Sequence, residues 1–244
     1  TATTAIYTVL TSSAASDVYK RQAINLSSHK EIETVLLKEL VQMVKIDQFA
    51  ARNPFPPAEF NNLSQEQWNA KKDSIFRANK KRAAVIFEEV GFPGFDIVGI
   101  KGSGYFFAIV QHSDFDPNFQ KKILDAMLPE VQNQNANKRH FAFLTDRVKK
   151  NTGEKLLYGT QVDYHWFTGK AKPLPTIDPE NLNKRRAEIG LESIEVYLDE
   201  MTEANNSYSQ PVIKGITNLG LIFLIALALL LGLIAFLLAK RKRQ

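Results

Sequence analysis

The sequence predicts a mainly α protein of the α+β kind: a helical domain with one small β-hairpin, followed by a single C-terminal transmembrane helix. Three observations predict it. Apolar residues recur near helical spacing through most of residues 31–151. The stretch Leu157–Phe167 then turns to Tyr, Thr, Val, Trp and Phe, which favour strands. Finally, none of the 21 side chains from Leu219 to Ala239 donates or accepts a hydrogen bond. A helix of that length rises about 31 Å, close to the hydrocarbon thickness of a bilayer.

The elements follow in order. Ile32, Val35, Leu36, Leu40, Val44 and Phe49 give an amphipathic helix over Glu31–Phe49, which Asn53-Pro54-Phe55-Pro56-Pro57 breaks. Ser64 with Gln67 three residues on is a capping-box pattern, and the helix it opens runs through Trp68, Ile75 and Phe76 to Val90. Gly91-Phe92-Pro93-Gly94 ends it. Gly102 and Gly104 are expected to flank a turn, and the apolar run Tyr105–Val110 is read as a helix. Asp116-Pro117 supplies an N-cap and a first-turn proline for a helix carrying Phe119, Ile123, Met127 and Leu128, which dissolves in Gln132-Asn133-Gln134-Asn135. Another helix spans Lys138–Asn151 and Gly153 closes it. Leu157–Phe167, the turn Thr168-Gly169-Lys170 and the proline-bearing edge Ala171–Ile177 make the hairpin. Asp178-Pro179 caps a helix to Ile189, and Glu192–Met201 forms a last short one.

The two ends of the chain are of a different nature. Ser12 to Gln22 resembles, residue for residue, the translation of a transposase-type sequencing-library adapter, and most of residues 1–8 resembles the primer that precedes it. Residues 1–22 are therefore expected to be a disordered artefact without function, with authentic protein beginning near Ala23 and any signal peptide missing. The expected organisation is 23–204 as the helical domain, 205–214 as a polar spacer, 215–239 as the membrane helix and 240–244 as a basic tail.

Of 31 basic and 26 acidic residues, the tail holds four basic ones and the leader two basic and one acidic, which leaves 25 of each. The domain is thus uncharged overall and lacks the footprint of a nucleic-acid binder. Without cysteine, disulfides, thiolate catalysis and Cys-ligated zinc are excluded. Four basic residues follow Ala239 and only Lys214 lies just before the run, so a single-pass membrane protein with a cytoplasmic C-terminus and its domain outside is expected, with the lipid bilayer as partner through Leu219–Ala239.

Gly91-Phe92-Pro93, Val98-Gly99, Gln111-His112, Asp116, Gln120, Leu144-Thr145-Asp146-Arg147, Tyr158-Gly159-Thr160-Gln161 and Arg186-Ala187-Glu188-Ile189-Gly190-Leu191 occur in that order. Together they resemble a widespread bacterial family known only as a domain of unknown function. The likeness covers roughly Glu31 to Asp199. The chain departs from the family pattern in having Phe92 where Trp is commoner, and in its C-terminal apolar run. The resemblance implies a fold and no activity.

Candidate catalytic residues are His112, Asp116 and Asp146. His112 follows an apolar run and precedes Asp114 and Asp116, which are the ingredients of a general base with an orienting carboxylate. The plain alternative is a histidine that bonds a helix terminus. His112, Asp114 and Asp116 with His140 or His165 are weighed as metal ligands and set aside, since no zincin-type histidine pair occurs. No metal or cofactor is expected. Candidate ligand-binding residues are Gln111, Gln120, Arg147, Tyr158, Gln161 and Arg186. Asp146 is read either as an ion-pair partner of Arg186 or Lys184 or as part of a site in which the planar Arg147 fork takes an anion. Gly99–Gly104 lacks Walker spacing, and no Gly-x-Ser-x-Gly elbow occurs.

The leading expectation is a membrane-anchored module that binds a small polar ligand or a protein partner at one polar cluster, Gln111/His112–Asp146/Arg147–Gln161. The alternative is a hydrolase-like enzyme with His112 as general base. An enzyme requires an accessible His112 with a carboxylate at hydrogen-bond distance; a binding module requires a buried, satisfied one. A third reading makes the cluster core architecture alone.

Overall fold

The computed structural model describes residues 26–207 and Phe223, with side chains from residue 34 onward. Helix α1 (Leu26–Arg52) buries Leu36, Leu40, Met43, Asp47 and Ala50, at alternating spacings of four and three residues. That spacing puts all five on one face. The loop that follows is pinned by the Trp68 indole, which donates to the Asn53 carbonyl at 2.8 Å and stacks on Phe60. Helix α2 (Gln65–Val90) opens on the expected box: the Ser64 hydroxyl accepts from Gln67 N at 3.2 Å, and Gln67 Oε1 accepts from Ser64 N at 2.9 Å.

Helix α3 (Phe95–Gln111) is the central element, packed against α1, α2 and the next two helices. It runs straight through Gly102 and Gly104, where a turn was expected. The real break is at Gly99, whose φ of +67° interrupts the helix; a left-handed backbone of this kind favours glycine. Gly102 serves close approach instead, since a Cβ there would lie 3.1 Å from Leu37 of α1. Helix α4 (Pro117–Gln132) starts at the expected Asp116 cap, which accepts from Phe119 N at 3.0 Å. Helix α5 (Lys138–Asn151) is capped by Asn137. These helices enclose a core that includes Leu40, Ile86, Phe106, Val110, Ile123, Met127 and Leu144.

The chain divides into two compact units. One comprises the bundle with residues 174–192; the other comprises 162–173 with the chain from 193 onward. In the first unit, Leu156 bridges Thr176, and Leu174 N donates to the Gln161 carbonyl at 3.1 Å, which closes a narrow neck. A single 3₁₀ turn (Pro179–Asn181) precedes the short α6 (Leu182–Glu188); the Asp178 side chain makes no cap there, and its φ is +43°. In the second unit, β1 (Val162–Tyr164) pairs antiparallel with β2 (Ala171–Pro173), Tyr164 opposite Ala171. Only three residues of the long aromatic run are strand. Helix α7 (194–207) supports the pair: Thr202 Oγ1 accepts from Ala171 N at 2.9 Å, and Asn205 Nδ2 donates to the Gly169 carbonyl at 3.1 Å.

One part of the expected fold class is corrected. Among the described residues no helix is long and apolar enough to cross a membrane. The architecture of those residues is mainly helical with one small antiparallel hairpin. The run 215–239, on which that expectation rested, lies outside the described residues, Phe223 excepted, as do 1–22 and 240–244. Residues 205–207, expected in a spacer, still belong to α7.

Candidate functional site

His112 is the C-cap of α3, where the chain leaves the helix at φ −86° and ψ 7°. Its Nδ1 lies 2.6 Å from Oδ2 of Asp47, one helix away and 65 positions earlier. Asp47 is 0% exposed; the His112 side chain keeps 19% of its surface open. Gln48 Nε2 also approaches Asp47 Oδ2, at 3.1 Å. Asp47 Oδ1 is buried and has no hydrogen-bond partner among the described residues. The Phe76 ring flanks the imidazole at 5.3 Å between centroids. A carboxylate that accepts from Nδ1 fixes the tautomer with its proton there, and Nε2 then carries the lone pair.

Helix α2 holds the segment after His112 in place through three consecutive contacts. Phe76 meets His112, the Arg77 guanidinium lies over the Phe115 ring, and Lys80 pairs with Asp116 at 2.7 Å. The Lys80 ammonium and the Phe119 N–H hold the Asp116 carboxyl below its ordinary range. Asp116 is therefore occupied as cap and ion-pair partner, and the carboxylate that faces His112 is Asp47.

A second group lies where α3, α4 and α5 meet. Gln120, fully buried, donates through Nε2 to the carbonyls of Val110 and Gln111 and to Asp114, each at 3.2 Å. Arg147 Nη1 donates to the Gln111 carbonyl and to Asp114 Oδ2, both at 2.9 Å. Asn151 Nδ2 donates to Asp114 Oδ1 at 2.8 Å and to Gln120 Oε1 at 2.9 Å. Burial alone would raise the Asp114 carboxyl, but the Arg147 charge with the Asn151 and Gln120 bonds outweighs it and holds the group low. Every polar atom this network uses has a protein partner.

The third group is built on Asp146, also 0% exposed. Its oxygens accept from Leu157 N at 2.7 Å, Tyr158 N at 3.0 Å, Thr160 N at 2.7 Å and Thr160 Oγ1 at 3.0 Å. Buried Arg186 donates to the Tyr158 carbonyl at 2.6 Å and the Glu192 carbonyl at 2.7 Å. Burial, with the neighbouring Asp146 charge, pushes the Tyr158 phenol up. Gln161, half-buried, donates to the Thr160 carbonyl at 3.3 Å. Asp146 thus folds the 157–160 loop onto α5, and Arg186 ties the loop to α6.

The expected single cluster is therefore three. Gln111, Gln120 and Arg147 come together around Asp114, while Asp146, Tyr158, Thr160 and Arg186 form another group. His112 stands apart with Asp47. No group of three or more His, Cys, Asp or Glu placed to hold a metal ion occurs among the described residues. Sequence reasoning missed Asp47. Its signal was available: it lies on the stripe Leu36, Leu40, Met43, Asp47, Ala50, where a charged residue is out of place unless paired.

Compared with known proteins, residues 34–209 match the model of a family described as "Family of unknown function (DUF6624)". Neither the curated proteins nor the solved structures hold a match.

Proposed function

The chain belongs to the DUF6624 family of unknown function, and from that premise we propose a hydrolytic enzyme in which His112 is the general base and Asp47 its positioning residue. One observation carries this reading: a fully buried carboxylate 2.6 Å from Nδ1 of a histidine that remains partly open to solvent. The binding-module alternative calls for a buried histidine with both nitrogens satisfied, and the geometry favours the other case.

The chemistry follows from the tautomer. Nε2 takes a proton from a water molecule, which attacks an ester-type substrate as hydroxide. The imidazolium so formed faces the Asp47 carboxylate, which stabilises the positive charge and holds the ring plane. The proton on Nε2 then passes to the leaving oxygen as the scissile bond breaks. Phe76 limits the ring's freedom from the other side. Asp116 and Asp146 act in the fold rather than in this step.

The test is turnover of a panel of p-nitrophenyl esters of carboxylic and phosphoric acids by the full chain. Hydrolysis is expected that falls about 10²- to 10⁴-fold in His112→Asn, whose amide nitrogen takes the place of Nδ1 and keeps a donor toward Asp47 while the Nε2 base is lost. Asp47→Asn should lower kcat and move the pH profile while the fold, followed by circular dichroism, persists. Absence of turnover across the panel, or turnover indifferent to His112→Asn, overturns the reading.

A further inference from the structure

The second unit carries a feature that the His112 site does not use. At the end of the hairpin Trp166 is 89% and Phe167 77% exposed, and their rings lie 5.5 Å apart. The tip is ordered in spite of this exposure. His165 N donates to the Lys170 carbonyl, Gly169 N to the His165 carbonyl, both at 2.8 Å, and His165 Nδ1 accepts from Thr168 N at 3.2 Å. α7 fastens the base of the turn through Asn205 and Thr202. A fixed turn therefore holds two large apolar rings in water.

The size and chemistry of the tip indicate what covers them. Two aromatic side chains offer about 300–500 Å², well short of the roughly 800 Å² per partner of a stable protein interface. A bilayer needs no matching surface: each ring that enters the headgroup boundary contributes on its own, and Trp prefers that depth. Exposed Lys170 and Lys172 flank the rings, and Asp163, opposite Lys172, is the single acidic residue of residues 162–173. Lys170 reaches the phosphate level while its stem lies along the apolar layer. We infer that Trp166 and Phe167 form a bilayer-docking tip that enters the interfacial layer of a membrane.

The chain's own tryptophans provide the probe. There are two, and Trp68 is fully buried, so a change in emission on contact with lipid reports Trp166. The full chain is mixed with phosphatidylcholine–phosphatidylglycerol vesicles whose acyl chains are brominated. A blue shift with quenching is expected, and both should vanish in Trp166→Phe, which retains only Trp68. Removing the second ring in Phe167→Ala should weaken the lipid dependence of the quenching about tenfold. Trp166 emission that stays red-shifted and open to aqueous iodide when vesicles are bound overturns the inference. So does shielding of Trp166 by self-association without lipid.

Discussion

Asp146→Asn tests the account of the 157–160 loop most directly. In the native chain Oδ1 serves Leu157 N and Tyr158 N, and Oδ2 serves Thr160 N and Thr160 Oγ1. Asparagine has one oxygen. Left on the Leu157 side, it places an NH₂ group against the Thr160 N–H, 2.7 Å from Oδ2 in the native chain. The Thr160 hydroxyl rotates to accept; the N–H cannot. One buried donor without a partner costs about 1–3 kcal/mol, and the two surviving bonds lose their charge assistance at about 1 kcal/mol each. Relief from burying a negative charge offsets part of this, which leaves roughly 3 kcal/mol, a large share of a typical 5–15 kcal/mol domain stability. With a urea dependence of about 2 kcal/mol per molar, the unfolding midpoint should fall by roughly 1.5 M. Hydrogen exchange of the Leu157, Tyr158 and Thr160 amides should quicken beyond that of the core helices. A variant within about 1 kcal/mol of the native chain, with those amides still protected, would refute the reasoning.

Two further outcomes follow. Burial, helped by the Arg139 charge, holds the His140 imidazole below its ordinary value of 6.5, and the ring stacks on Phe107 at 4.1 Å. The unfolded chain therefore binds the extra proton first, and stability fully present above pH 6.5 is lost as the pH falls below that value toward the lower one of the folded group. Melting scans from pH 7.5 to 5 should show this slope, and His140→Phe should flatten it; an unchanged slope sinks the argument. Ser64→Ala removes half of the capping box on α2 and should cost about 1 kcal/mol in chemical denaturation, whereas a change smaller than the error would mean the cap frays in solution.

Local signals were legible and long-range ones were not. Ser64 with Gln67, and Asp116 with Pro117, mark helix starts because a cap is chemistry between residues three apart, and both caps form as read. Gly102 and Gly104 misled because glycine serves two needs, turning and close packing, and composition does not separate them. The left-handed φ fell to Gly99 instead. In the candidate site, the position of His112 at the end of an apolar run is legible and the structure places it at a helix C-cap, but the carboxylates expected beside it, Asp116 and Asp146, are engaged elsewhere. Asp116 is held by Lys80 and Asp146 by backbone N–H groups, and which carboxylate remains for the histidine is decided by how α1 packs on α3. Asp47 drew no reading because the helical face was judged from its apolar members alone.

The bond between Leu174 and Gln161 has an engineering corollary. The chain leaves the bundle at Gln161 and returns at Leu174 through one fastened gateway, so the exposed tip between them can lengthen without moving either end. Such exposed turns are where foreign sequence is usually accepted. A fluorescent reporter or an epitope spliced there would ride on the bundle without rethreading it, and an edited chain would still bring Leu156 beside Thr176.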